Sequence, residues 1–221
     1  MKFYQLLGGL FLLSLTTCNQ PLNKRAILVL GDSNGEREGW VYQLQQLRGG
    51  GPLVNTSISG NTVAYKYDGG DRLNTLSQLT PYLRKGYAEM GAIDEILIGL
   101  GTNDCKVRFG QDADDIAANL GKVLDGINSF FADRGQEAPR IVILSPPPLD
   151  DTDVVEDFKG ATACTEAVTE AYRALATSRG HCYVDLTTNP GTGVLAHSYD
   201  GIHFKREGYV MLAEAVLDAC Y

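Results

Sequence analysis

Short apolar runs alternating with longer amphipathic segments restrict this chain more than any other feature. Ala26–Leu30, Leu53–Ile58, Glu95–Leu100, Arg140–Ser145 and Cys182–Leu186 read as strands. The segments between them repeat with helical period. Trp40, Val41, Leu44 and Leu47 share a face in Glu36–Leu47, and Leu73, Leu76 and Leu79 share one in the next helix. Ile116, Leu120, Val123, Leu124, Ile127 and Phe131 do so in Asp112–Phe131; Ala161–Ser178 follows, and Tyr209, Leu212, Ala213, Val216 and Leu217 mark the last helix. Apolar strands separated by amphipathic helices must be covered on both faces. The pattern therefore predicts a three-layer α/β/α fold around a five-stranded parallel sheet. Gly49–Gly51 stops the first helix, and Pro81 is expected to end or restart the second, since proline lacks an N–H and clashes with the preceding turn.

The 221 residues suit one domain with a large core, and the formal net charge of -8 argues against nucleic acid or an anionic membrane surface as partner. The N-terminus stands apart. Lys2 followed by apolar Leu6–Leu15 has signal-peptide character and is too short to span a bilayer. Leu15-Thr16-Thr17-Cys18 resembles a bacterial lipobox, with Thr17 where a smaller residue is usual. Residues 1–17 are therefore expected to be a signal peptide, 18–25 a tether and 26–221 the folded domain, with Cys18 the lipid attachment point. That would place the protein in the bacterial cell envelope, linked to a membrane through an N-terminal lipid; simple secretion and an uncleaved anchor are the alternatives. Cys105, Cys164, Cys182 and Cys220 remain, an even number in an exported chain. The topology places Cys105 with Cys164 at the upper rim of the sheet and Cys182 with Cys220 at the lower, so those pairs are the expected disulfides; four buried thiols are the alternative. No spacing fits a metal site, and the acidic loop Asp150–Asp157 reads as solvated rather than as a calcium loop.

Ligands of such sheets gather beyond the carboxyl ends of the strands. Strand one ends at Gly31-Asp32-Ser33-Asn34, strand two at Gly60 and strand three at Gly101-Thr102-Asn103-Asp104; Asp200-Gly201-Ile202-His203 follows strand five. These groups supply the parts acyl transfer needs. Ser33 is the candidate nucleophile, His203 the base and Asp200 the carboxylate that orients the imidazole. The N–H groups of Ser33 and Gly60, with the Asn103 amide, are the candidate oxyanion donors. Ser57, Ser59 and Ser145 lack the turn chemistry seen at Ser33. His181 falls on the opposite rim, His197 reads as a surface residue, and Asp185 is a competing carboxylate for His203. Asp32 and Asp104 read as braces for their turns, Trp40 as helix packing, and Pro146–Pro148 as a stiff wall beside the site.

Taken in order, the four blocks resemble the SGNH hydrolases, also called the GDSL esterase/lipase family, over nearly all the chain after the tether. Asn34 departs from the Leu or Ile common there. The resemblance implies a flavodoxin-like SGNH hydrolase fold and a serine esterase without cofactor. Gly101–Lys106 and Ile141–Leu149 look like the arylesterase and acyltransferase branch. The expected reaction is hydrolysis, or transfer, of short acyl groups, acetyl above all, from small-molecule or glycan esters with sugar, aryl or alkyl alcohols. A lysophospholipase or thioesterase for longer chains and a non-catalytic glycan-binding lipoprotein are the rival readings. A flavodoxin-like cofactor binder is disfavoured, because the first loop lacks a phosphate cradle.

Overall fold

The computed structural model describes residues 20–152 and 154–221; the expected signal peptide and Cys18 lie outside them. Five parallel strands form one sheet in the order β2-β1-β3-β4-β5. They are β1 (Ile27–Gly31), β2 (Leu53–Asn55), β3 (Glu95–Gly99), β4 (Arg140–Leu144) and β5 (Cys182–Val184). The central register sets Leu28 beside Ile96 and Ile96 beside Ile141. Every residue of β1 is buried, as a strand covered on both faces must be.

Helices α2 (Thr75–Met90), α3 (Ala113–Ala132) and α4 (Ala161–Arg179) cover one face, and α1 (Trp40–Leu47) and α5 (Arg206–Cys220) the other. In α3 the periodic Ile116, Leu120, Val123, Leu124 and Ile127 are fully buried, each worth about 1.5–3 kcal/mol of transfer free energy. The Asp112 side chain caps this helix by accepting the N–H groups of Asp114 and Asp115 at 3.0 and 3.1 Å. No helix among the described residues is long and apolar enough to cross a membrane.

Three elements differ from the sequence expectation. Helix α1 starts at Trp40, not Glu36. Glu36–Gly39 forms a turn closed by Gly39 N–H donating to the Glu36 carbonyl, and Trp40 N–H reaches back to the Asn34 carbonyl. Strand β2 ends at Asn55, short of Ile58; past it the chain stays beside β1, with Thr56 N–H donating to the Val29 carbonyl at 3.0 Å and Ile58 N–H to that of Gly31 at 3.3 Å, and the Asn55 side-chain amide donates to the Gly35 carbonyl at 2.7 Å. Helix α2 runs through Pro81 without a break. Pro81 and Ser77, whose carbonyl loses its partner, both lie on the exposed face, where water can satisfy that oxygen.

Residues 20–25, expected as tether, lie against the sheet's lower edge. The buried Arg48 guanidinium donates to the carbonyls of Leu22, Arg25 and Pro52 and holds them there. Glu95, buried at the start of β3, pairs with Arg140 beside them.

Candidate active site

The residues leaving β1 form a tight turn. Asp32 Oδ1 accepts the Asn34 N–H at 2.9 Å, its carbonyl accepts the Gly35 N–H, and the Ser33 carbonyl accepts that of Glu36. This lifts Ser33 to the surface while Asp32 turns under it, only 3% exposed. A Cβ at Gly31 or Gly35 would meet Ser57 Oγ, so a side chain at either would push the Ser57 hydroxyl aside.

His203 comes to Ser33 from the far end of the chain. Its Nε2 lies 2.9 Å from Ser33 Oγ, across 170 residues of sequence. Its Nδ1 lies 2.6 Å from Asp200 Oδ2. The Asp200–His203 segment is folded by its own polar atoms. Ser198 Oγ donates to the His203 carbonyl at 2.8 Å and accepts the Gly201 N–H at 2.9 Å. The Tyr199 ring lies nearly parallel to the imidazole, centroids 5.9 Å apart. Burial pushes the Asp200 carboxyl up, but hydrogen bonds from the His203 ring and the N–H groups of His203 and Ile202 outweigh it, and the net effect is a value below the ordinary one.

The other strand ends meet at the same rim. Among the described residues, neither the Ser33 N–H nor the Gly60 N–H donates to any protein acceptor. Asn61, fully buried, ties the group together: its amide donates to the Gly31 carbonyl at 2.9 Å, and its own carbonyl accepts Asn103 Nδ2 at 3.2 Å. That bond uses one proton of the Asn103 amide and leaves the other. The sequence reading assigned Asn61 no role. The available signal was a polar residue directly after Gly60, at a strand end destined for the rim.

Asp104 lies fully buried behind Asn103 and accepts the Val63 N–H on both oxygens, at 2.9 and 3.1 Å. Burial raises its pKa to about 7, the Val63 bond opposes, and Asp32 raises it further. Asp32 is raised to about 6 by burial, against the Asn34 N–H and the positive fields of His203 and Lys106. Asp32 braces its own turn as expected, whereas Asp104 ties the Asn103 turn to Val63 in the loop after β2; both are buried.

Of the rivals, Ser59 lines the same cleft as Ser33 but makes no hydrogen bond to His203 among the described residues; the others fall elsewhere. Ser57 Oγ is buried between Gly31 and Gly35, and Ser145 Oγ is occupied by the Pro146 carbonyl and the Leu186 N–H. Asp185 is taken by Arg173, Thr187 and Thr188. His181 precedes β5 at the lower rim, and Trp40 packs in the core against Gly99. Disulfides join Cys105 to Cys164 and Cys182 to Cys220. Among the described residues no set of His, Cys, Asp or Glu gathers as metal ligands.

A cleft of about 470 Å³ opens over Ser33 and His203. Its walls include Glu36, Arg37, Glu38, Ser59, Tyr199 and Arg206. Chemically, a hydroxyl faces an imidazole whose other nitrogen is held by a carboxylate, with unused N–H donors alongside. This set can move a proton off the hydroxyl and receive negative charge on a carbonyl oxygen.

Solved structures with this architecture include esterases. The chain matches the inhibitor-bound aryl esterase of M. smegmatis at 25% identity and TM-score 0.72, covering 88% of this chain and 99% of that one. A carbohydrate acetylesterase from Sinorhizobium meliloti matches at 24% identity and TM-score 0.72, over 88% and 97%. A second carbohydrate acetylesterase family member from Sinorhizobium meliloti matches at 21% and 0.71, over 87% and 95%. Among curated proteins none matches the chain. The model of the GDSL-like Lipase/Acylhydrolase family matches residues 17–211, so the chain belongs to that family and is a carboxylic ester hydrolase of the SGNH type.

Proposed function

We propose that the protein is a serine esterase that removes short acyl groups, acetyl above all, from sugar or aryl esters through Ser33, His203 and Asp200. The observation that carries this reading is the unbroken line from Ser33 Oγ to His203 Nε2 and from His203 Nδ1 to Asp200 Oδ2, at 2.9 and 2.6 Å. Ser33 Oγ attacks the ester carbonyl carbon and gives its proton to His203 Nε2. Asp200 stabilises the imidazolium and fixes its orientation. The carbonyl oxygen becomes an oxyanion, received by the N–H groups of Ser33 and Gly60 and by the Asn103 amide. Collapse breaks the bond to the alcohol, which leaves with the proton from His203. Water, deprotonated by the same imidazole, then cleaves the acyl-enzyme and frees Ser33.

The cleft walls support the short-acyl half of the reading. Glu36, Arg37, Glu38 and Arg206 share the cleft with Tyr199, Phe204 and Tyr209, so apolar surface is limited, and each further methylene gains its roughly 0.8 kcal/mol only where it meets such surface. The names of the structural neighbours, an aryl esterase and a carbohydrate acetylesterase, support the choice of alcohols. Attachment to the cell envelope through Cys18 completes the proposal. Two disulfides suit an oxidising compartment, and metabolic lipid labelling should vanish in Cys18→Ala.

A fluorophosphonate probe should label the protein, and Ser33→Ala should abolish labelling and esterase activity together; a variant that still labels overturns the assignment. In a nitrophenyl ester series, kcat/KM should be highest at acetate or propionate. A rise beyond about eight carbons would instead favour the long-chain reading.

A further inference from the structure

One peptide of the proposed oxyanion site is held by nothing directly. Among the described residues, neither the Ser59 carbonyl nor the Gly60 N–H has a protein partner. Gly60 sits at φ +83°, where the absence of a Cβ lets this peptide rotate at small steric cost. Its neighbours on both sides are held. Glu36 Oε2 accepts the Ser59 N–H at 3.0 Å, the Tyr67 hydroxyl donates to the Gly60 carbonyl at 2.9 Å, and the Asn61 N–H donates to the Ile58 carbonyl at 3.0 Å.

Tyr67 is itself directed. Lys106 Nζ donates to the Tyr67 oxygen at 2.9 Å. An ammonium carries protons and no lone pair, so it can only donate. The phenol must therefore turn its single proton away from Lys106, toward the Gly60 carbonyl. The pair sits in an aromatic setting: Phe109 packs edge-on to Tyr67 at 5.1 Å, and the Phe158 ring lies 4.9 Å from the ammonium. Partial burial keeps water from competing for these bonds and lowers the Lys106 pKa.

We propose that Tyr67 and Lys106 are positioning residues, setting the rotation of the Ser59–Gly60 peptide so that the Gly60 N–H faces the developing oxyanion. The inference rests on the proposed role of Ser33 and Gly60. It extends that role to a two-residue relay in which Lys106 orients the Tyr67 proton and Tyr67 holds the backbone.

The test uses Tyr67→Phe, which removes the hydroxyl and keeps the ring. kcat per fluorophosphonate-titrated site on nitrophenyl acetate should fall about ten- to a hundredfold, with KM changing less than about twofold. Affinity for methylboronic acid, whose tetrahedral adduct on Ser33 uses the same donors, should fall by the same factor. Lys106→Met should move both readouts in the same direction by less, Lys106→Arg should restore most of the loss, and Tyr67→Phe/Lys106→Met should be no worse than Tyr67→Phe. A purely structural role would lower Tm and the titratable fraction while leaving kcat per site and boronate affinity at the wild-type level. That result, or additive losses in the double variant, overturns the relay. Persistent labelling of Ser33→Ala would instead overturn the underlying assignment.

Discussion

Asp200 grips His203 at two points: Oδ1 accepts the His203 main-chain N–H at 2.7 Å, while Oδ2 faces Nδ1 at 2.6 Å. One carboxylate thus shapes the loop and orients the ring. Asp200→Asn can keep the main-chain bond through its oxygen, but then presents an NH2 group to Nδ1. That favours the tautomer whose Nε2 carries the proton and cannot accept one from Ser33. kcat should fall about a thousandfold or more with the fold intact, measured on nitrophenyl acetate alongside circular dichroism. Because its hydrogen bonds hold the Asp200 carboxyl below its ordinary value, wild-type activity between pH 5 and 8 should carry no loss from its protonation.

The two disulfides should separate stability from activity. They close loops of 59 and 38 residues, each worth about 4 kcal/mol in the chain-entropy account. Cys105 ends the short turn that begins at Asn103, whereas Cys182 and Cys220 lie at the opposite rim. Replacing either pair by alanine should lower Tm. Only the Cys105/Cys164 double variant should also lower kcat, through a displaced Asn103. Equal kcat in both double variants would contradict this.

The buried Asp32 and Asp104 make stability fall with rising pH. Both carboxyls hold protons more tightly in the folded chain, at about 6 and about 7, than at the ordinary 3.8. Their contribution is complete below pH 3.8 and is lost as pH rises through the folded values. His181, lowered by partial burial and by Arg179, acts in the opposite sense below its ordinary 6.5. Asp104→Asn keeps an acceptor for the Val63 N–H and cannot ionise. The drop in Tm between pH 5 and pH 8 attributable to this site should therefore shrink in the variant, with thermal melts at the two pH values as the check.

Gly201 connects the Asp200–His203 segment to the loop after β4. It has φ +80°, its carbonyl accepts the Asp150 N–H at 2.9 Å, and a Cβ there would collide with the Asp150 carbonyl. Gly201→Ala should cost about 1–3 kcal/mol from the positive φ and the displaced loop. It should also reduce kcat more than KM, because the His203 ring moves with the loop. An unchanged Tm would show that the loop relaxes freely.

Much of this was readable from local pattern. The alternation of buried strands with periodic helices is written residue by residue, because a strand covered on both faces has no polar positions and a helix covered on one face repeats every turn. The first three blocks fell at or just beyond strand ends for the same reason, the fourth in the loop that precedes α5, and the disulfide pairs followed from which rim each cysteine occupied. The misplaced boundaries lie where main-chain bonds or solvent, not apolar periodicity, decide. Main-chain bonds from Gly39 to Glu36 and from Trp40 to Asn34 delay α1, β2 stops before the apolar pattern does, and Pro81 was tolerated because its face of α2 meets water.

Residue types and their order along the chain were enough to identify the sheet and its layers and to nominate the candidate groups at its rim. Whether Ser33 and His203 meet, which amide tethers Gly31 to Asn103, and how Lys106 turns the Tyr67 proton toward Gly60 were decided only by packing. Hydrogen-bond geometry between loops 39 to 170 residues apart depends on the relative placement of whole strands and helices. That placement is fixed by the summed burial of the core, and no short stretch of the chain contains it.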